Sequence, residues 1–204
     1  MNTQILPADD QKAIGAALSV LRSGGLVAFP TDTVYGVGAI VFNDTAVESI
    51  YVAKGRSGEK AIPVLLGDAS ELDRVAKSIP EMARRLAYRF WPGPLTLVVR
   101  KQAAVPMAVS STETVGVRVP DHVASRMLLR ASGPLAVTSA NISGQPSPST
   151  AQEVLDQLDG RIALILDGGK TPGGVPSTVV DCLQTEPVIL RVGPLTLDDI
   201  RAAL

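Results

Sequence analysis

Short apolar runs that stop at proline or glycine alternate along this chain with stretches of helical period, and few architectures accept that rhythm. Ala13, Ile14, Ala17, Leu18 and Leu21 recur at helical spacing over residues 10–22, behind Asp9 and Asp10 as caps and ahead of Gly24-Gly25 as a stop. Leu26-Val27-Ala28-Phe29 then reads as a buried strand, closed by Pro30, which has no amide hydrogen for a ladder. Val37 to Phe42 is a second strand and Asp44 to about Ala53 a helix. Ile62 to Leu66 is strand-like, and Ser70 and Pro80 open two helical stretches. Leu95 to Arg100, Val115 to Val119 and Leu135 to Thr138 read as strands, with a helix from Asp121 to Arg130. Thr150-Ala151-Gln152-Glu153 has the form of a capping box opening a helix to about Leu158. Ile162 to Leu166, Thr178 to Asp181 and Val188 to Arg191 finish the sheet, and Leu197 to Leu204 is a last helix. Strands interleaved with helices predict one α/β domain over residues 1–204, with helices on the faces of a mostly buried sheet. The strand-to-strand steps near 95–119 and 178–191 predict antiparallel pairs, hence a mixed sheet.

Composition removes several function classes. Seven of 204 residues are aromatic, too few for a platform that stacks single-stranded bases. Cys182 is the one cysteine, so neither an internal disulfide nor a thiolate zinc site can form, and the one histidine, His122, cannot make a multi-histidine metal centre. The amino-terminal stretch carries Asp9 and Asp10 and has no cationic lead into an apolar run, and no stretch reaches the length of a membrane span. A soluble, cytoplasmic protein is expected. Net charge is −1, yet Lys54 to Arg130 holds thirteen Lys and Arg against seven Asp and Glu, between acidic ends. That distribution suits a positively lined cleft for a phosphate-bearing ligand, and also suits a solvated cationic face.

Four polar, glycine-rich loops follow the strands, where ligands gather in open α/β sheets. Pro30-Thr31-Asp32-Thr33-Val34-Tyr35-Gly36 offers hydroxyls for a small ligand or for turn and capping bonds. Lys54-Gly55-Arg56-Ser57-Gly58-Glu59-Lys60 gathers three cations around two glycines at a helix end, a setting that favours polyphosphate. Thr138 to Ser149 is dense in neutral donors and acceptors, and Asp167 to Ser177 carries four glycines, as a mobile lid or an anion cradle would. Two nucleotide motifs fail. Gly36-Val37-Gly38 meets Val41 where a third glycine belongs, and Gly169-Lys170-Thr171 meets Leu164 where a P-loop begins.

Together with Trp91-Pro92-Gly93-Pro94-Leu95-Thr96, Val117-Arg118-Val119-Pro120, Ser139-Ala140-Asn141, Ser177-Thr178-Val179-Val180-Asp181 and Arg191-x-Gly193-Pro194, these loops resemble the YrdC/Sua5 family of threonylcarbamoyl-AMP synthases along essentially the whole chain. The resemblance implies a twisted mixed sheet with a positively charged cavity, and an enzyme that joins L-threonine, bicarbonate or CO2, and ATP into threonylcarbamoyl-AMP with release of pyrophosphate. A separate t6A transferase complex would pass that product to tRNA, and Mg2+ would accompany ATP. The chain ends about ten residues past Pro194, which reads as the short form without the second domain of longer relatives.

Carried over by position, the ATP side comprises Lys54, Arg56, Lys60, Thr114, Ser139, Asn141, Ser147 and Arg191, and the threonine side Thr33, Arg118 and Ser177. Thr31 and Tyr35 would shape the pocket. Arg118 stands alone among apolar sequence neighbours, where one fixed fork suits one carboxylate. No side chain is assigned as nucleophile or metal ligand; Lys54 and Arg56 would act by position and charge. Ser57 and Ala61 stand where some relatives have proline, and Leu65 where some have histidine. The rival readings are a non-catalytic RNA-binding protein with tRNA or RNA contact through the basic middle segment, a paralogue lacking the Lys-x-Arg and Ser-x-Asn pairs, and a carbamoyl-transfer module of the kind found in hydrogenase-maturation proteins.

Overall fold

The computed structural model describes residues 2–55, 61–172 and 175–204. The strands are β1 (Gln4–Pro7), β2 (Val27–Phe29), β3 (Gly36–Ile40), β4 (Val64–Leu65), β5 (Leu95–Arg100), β6 (Thr114–Arg118), β7 (Leu135–Ser139), β8 (Leu164–Asp167), β9 (Thr178–Asp181) and β10 (Val188–Arg191). The helices are α1 (Gln11–Arg22), α2 (Asp44–Lys54), α3 (Glu81–Phe90), α4 (Val123–Ser132), α5 (Ala151–Leu158) and α6 (Leu197–Ala202), with a short 3-10 turn at Ala69–Arg74 in place of the helix expected from Ser70. Side chains start two helices as anticipated, Asp10 accepting from Lys12 N–H and Thr150 from Glu153 N–H, and Asn43, not singled out in the sequence, caps α2 by accepting from Ala46 N–H. Glu153 reaches back to Ser149, whose backbone N–H it accepts at 2.6 Å, one residue earlier than the box pattern has it. Gly55 closes α2 in the left-handed conformation, φ 58°.

Among the described residues the strands form one twisted sheet in the order β1-β8-β2-β3-β7-β4-β6-β5-β9-β10. It is mixed, as the strand-to-strand steps predicted: β5/β6 and β9/β10 are antiparallel, while β1/β8, β2/β8, β4/β6 and β5/β9 are parallel. The sequence reading missed β1. Gln4-Ile5-Leu6-Pro7 is short, exposed and edge-lying, so it lacks the apolar signature that marks the other strands.

The two faces of the sheet are covered unequally, and this positions the site. On one face, Leu95, Leu97 and Val99 of β5, Val115 and Val117 of β6, and Val37 and Ala39 of β3 pack with α2, α3 and α5 in a continuous core. On the other, Val27 and Phe29, Leu135 and Val137, and Leu164 and Leu166 pack with α1 and α4. That second core covers the β8-β2-β3-β7 half. The residues that alternate with the first core on β5 and β6 (Thr96, Val98, Gly116 and Arg118) face a cavity instead.

Gly36 and Gly38 have a packing reason. They sit on the β3 face against Val137 of β7, where an added Cβ would lie 2.6 Å and 2.9 Å, respectively, from its methyl carbons. Gly36→Ala is therefore expected to lower the unfolding free energy by about 1–3 kcal/mol, the usual cost of overfilling a packed core. In a Val137→Ala background the same change is expected to cost much less. Urea titration of the four proteins checks this; an equal loss in both backgrounds would place the clash elsewhere.

Candidate active site

The cavity over the second half of the sheet has a volume of about 300 Å³, the lower end of the range for small-molecule sites. Its polar wall includes Thr31, Thr33, Thr96, Ser139 and Ser177; its apolar wall includes Leu65, Val98, Val137 and Val179. Two charged side chains line it among the described residues, and both are arginines, Arg118 and Arg191. Five of the expected residues thus converge: Thr33, Ser139, Arg118, Ser177 and Arg191.

Arg118 ends β6 with its side chain 6% exposed, and it is not alone. Its Nε donates to the Gly93 carbonyl (2.9 Å), Nη1 to Thr33 Oγ1 (3.0 Å) and Nη2 to Asp32 Oδ1 (2.5 Å). The expectation of a lone fork was wrong because the partner carboxylate comes from a loop 86 residues away in sequence, which linear neighbours cannot reveal. Burial lowers the Arg118 pKa from its ordinary value, and the Asp32 charge opposes that shift. Thr33 is fixed in turn by Thr31, 2.9 Å between hydroxyls, and Thr31 accepts the N–H groups of Thr33 and Val34. Thr31 thus shapes the loop.

Arg191, at the end of β10, donates through Nε and Nη2 to the Ser177 carbonyl (3.0 and 2.8 Å) and through Nη2 to Ser177 Oγ (3.0 Å). Ser177 Oγ is also 2.8 Å from Thr96 Oγ1. Gly193 packs on this segment so closely that a Cβ there would be 2.3 Å from Thr178 N, which explains the glycine of the Arg191-x-Gly193-Pro194 run. Thr96 was quoted in a motif without a role, and its place beside Ser177 becomes visible only in the β5/β9 pairing.

Lys54 and Asn141 meet behind the wall. Lys54, at the end of α2, is 2% exposed, and its ammonium donates to the carbonyls of Ser139 and Asn141 (2.5 Å each). The Asn141 amide ties its own loop through the carbonyls of Ile142 and Gln145, 2.8 Å each. Lys54 and Asn141 therefore brace the loop that presents Ser139, and neither is on the cavity wall. Thr114 lies on the same face of β6 as Gly116 and Arg118, in a hydroxyl chain with Thr112 (2.9 Å). Ser147 stands one residue before Pro148, whose carbonyl accepts Tyr35 N–H. Neither Thr114 nor Ser147 lines the cavity. Arg56 and Lys60 lie outside the described residues. Leu65, where some relatives have histidine, contributes a buried apolar wall.

Tyr35 pins the glycine-rich loop. Its hydroxyl donates to the Gly169 carbonyl (2.7 Å) and accepts Gly168 N–H (3.2 Å). Thr171 N–H donates to the Ser149 carbonyl at 2.8 Å. The stretch from Asp167 to Thr171 is thus fastened at several points, which argues against a lid hinged at Asp167; residues 173 and 174 lie outside the description. The His122 ring packs near Gly168 with Nδ1 buried and no hydrogen-bond partner among the described residues; burial holds its pKa below the ordinary value, which suits a neutral ring.

A family model described as "Telomere recombination", covering the Sua5, YciO and YrdC proteins, matches residues 19–193. The chain belongs to this family. It is 46% identical over 194 residues to threonylcarbamoyl-AMP synthase of Bacillus subtilis, covering 94% of this chain and 56% of that protein. The putative threonylcarbamoyl-AMP synthase of Mycobacterium tuberculosis is 38% identical, with 97% of this chain and 92% of that protein covered. The solved structure of Pyrococcus abyssi Sua5 in complex with L-threonine superposes with a TM-score of 0.96 at 43% identity, over 99% of this chain and 61% of that one. This chain thus spans a little more than half the length of the Bacillus relative and about three fifths of the Pyrococcus one. Among the described residues no helix is long and apolar enough to cross a membrane, and no group of three or more His, Cys, Asp or Glu is placed to hold a metal.

Burial pushes the Tyr35 phenol up to about 12, against an ordinary value of 10.0, and Asp167 adds to the rise. The protonated, hydrogen-bonded phenol therefore contributes stability that is complete below pH 10 and is lost as pH climbs toward 12. Tyr35→Phe is expected to be less stable at neutral pH and to lose less further stability across that window than wild type. Denaturant midpoints at each pH measure both effects; parallel pH profiles would show that the phenol is not held in this way.

Proposed function

We propose that this chain is a threonylcarbamoyl-AMP synthase, joining L-threonine, CO2 or bicarbonate, and ATP. The observation that carries this reading is one cavity with two guanidinium groups on its walls, Arg118 buried and Arg191 exposed, together with the hydroxyls of Thr31, Thr33, Thr96, Ser139 and Ser177. Two anionic groups of different kinds, an amino-acid carboxylate and a polyphosphate, suit such a pair. The names of the relatives support the same reading.

On this reading Arg118, Thr33 and Ser177 take the amino acid, and Ser139 and Arg191 face the nucleotide, with Arg56 and Lys60 serving its phosphates. The free amine of threonine adds to CO2, forming a C–N bond and giving up one N–H proton to solvent, which leaves a carbamate. A carbamate oxygen attacks the α-phosphorus of ATP, and the bond to the β-phosphoryl oxygen breaks to release pyrophosphate. Mg2+ bound to the nucleotide would supply further neutralisation of its phosphate charge. No covalent intermediate with the protein is needed, so the protein's share is to hold the reactants together and neutralise the departing charge. Lys54 serves this indirectly, by fixing the loop that carries Ser139. The mixed anhydride formed would be consumed by a transferase acting on tRNA.

The test is product analysis after mixing the protein with MgATP, L-threonine and bicarbonate. Pyrophosphate and a threonylcarbamoyl adenylate are expected, with both lost when either threonine or bicarbonate is omitted. Release that persists without them would leave a plain ATPase and overturn the reading. A charged hydrogen bond is worth about 1.5–3 kcal/mol, so Arg118→Ala should weaken threonine binding roughly 10- to 150-fold while sparing ATP. Arg56→Ala is expected to do the reverse, and calorimetric titration of each ligand into each variant decides it.

A further inference from the structure

Asp32 touches the site without lining it, and its surroundings assign it a task. Its Oδ1 accepts two hydrogen bonds, from Arg118 Nη2 at 2.5 Å and from the backbone N–H of Asp121 at 3.0 Å. It thereby joins the loop after β2, the end of β6 and the approach to α4. Among the described residues it is the acid paired with Arg118, while Arg191 donates to the neutral Ser177. A guanidinium as buried as Arg118 needs a counter-charge to stay where it is, since removing a charge from water without one is costly.

The hydrogen-bond inventory of Arg118 sharpens the point. A guanidinium has five N–H donors in a rigid plane. Gly93, Thr33 and Asp32 each take one, from Nε, Nη1 and Nη2 in turn. The two donors left over are one on each terminal nitrogen, and a carboxylate can accept from both at once. Turning the fork would break three bonds, one to the turn before β5 and two to the loop after β2. Of the three acceptors only Asp32 is charged, so it contributes most to holding the plane.

We propose that Asp32 is a positioning residue for the amino-acid end of the site, its carboxylate holding the Arg118 fork so that the two remaining donors meet a substrate carboxylate. The proposal rests on the reading of Arg118 given above. It makes Asp32 a determinant of affinity for the amino acid and not of the phosphoryl chemistry.

Two variants that remove the charge, Asp32→Asn and Asp32→Ser, are compared with Arg118→Lys and with the Asp32→Asn/Arg118→Lys double variant; using both keeps the test standing if one fails to fold. Pyrophosphate release is followed over threonine concentration at saturating MgATP and bicarbonate, with thermal melts as the check on folding. The KM for threonine is expected to rise roughly 10-fold or more in both Asp32 variants, with kcat within about 3-fold of wild type and the KM for ATP unchanged. In the Arg118→Lys background, Asp32→Asn is expected to add little. A folded Asp32→Asn with an unchanged or lowered KM for threonine overturns the proposal, and so does a fall in kcat at constant KM. If Arg118→Lys impairs threonine use while the Asp32 variants do not, the proposal fails alone. If Arg118→Lys binds threonine normally, the reading of Arg118 fails and takes the proposal with it.

Discussion

A guanidinium buried at the end of β6 sets the terms for the polar half of this molecule. A charged fork in a low-dielectric setting must have its N–H groups matched, because each unmatched donor carries its full desolvation cost. Meeting that demand draws in Gly93 from the turn before β5, Thr33 and Asp32 from the loop after β2, and, through Asp32, the start of the segment leading to α4. Segments from the two halves of the sheet are thereby held against one another across the cavity. The opening between them is a consequence of coverage: α1 and α4 pack over only one half of that face.

The same logic of internal satisfaction runs through the loops that looked like ligand sites. Lys54 is held by carbonyls of the Ser139–Asn141 turn, Tyr35 by the backbone at Gly168 and Gly169, and Arg191 by Ser177. The first two are polar contacts between segments that lie far apart in sequence, and the third ties the two ends of the β9–β10 hairpin. The loops are therefore cross-braced where they are described, and the cavity wall is organised by bonds the protein makes to itself. Such organisation favours tight use of substrate binding, since less ordering remains to be done when the substrate arrives.

The sequence was most informative where a residue's role depends on its neighbours in the chain. The caps at Asp10 and Thr150, the buried strand Val27–Phe29 and the antiparallel step from β5 to β6 follow from local rules and stand as expected. Strand β1 escaped because an exposed edge strand has no apolar run. Within the site, Thr33, Arg118, Ser139, Ser177 and Arg191 line one cavity. What could not be read was which groups would be spent on one another. The Asp32–Arg118 pair, the Thr96–Ser177 contact and the burial of Lys54 under the Ser139 loop are set by strand order, which composition and periodicity do not encode.

Strand order also has a temporal meaning. β8 lies between β1 and β2, pairing Gln4 with Leu164 and Val27 with the same residue, so among the described residues β1 has no strand partner, and β2 none on that edge, until residues near 164 are available. Such distant pairings carry a large chain-closure entropy and form late. During synthesis the helix α1 and the strands beside it must wait for most of the polypeptide to emerge, with apolar surface that β8 will later cover. Gly168 and Gly169 follow directly after β8 and carry the backbone groups that fasten Tyr35. The insertion of β8 therefore joins β1 to β2 and brings the glycine loop to Tyr35 in one event, so that this loop takes its place only as a late strand enters the sheet.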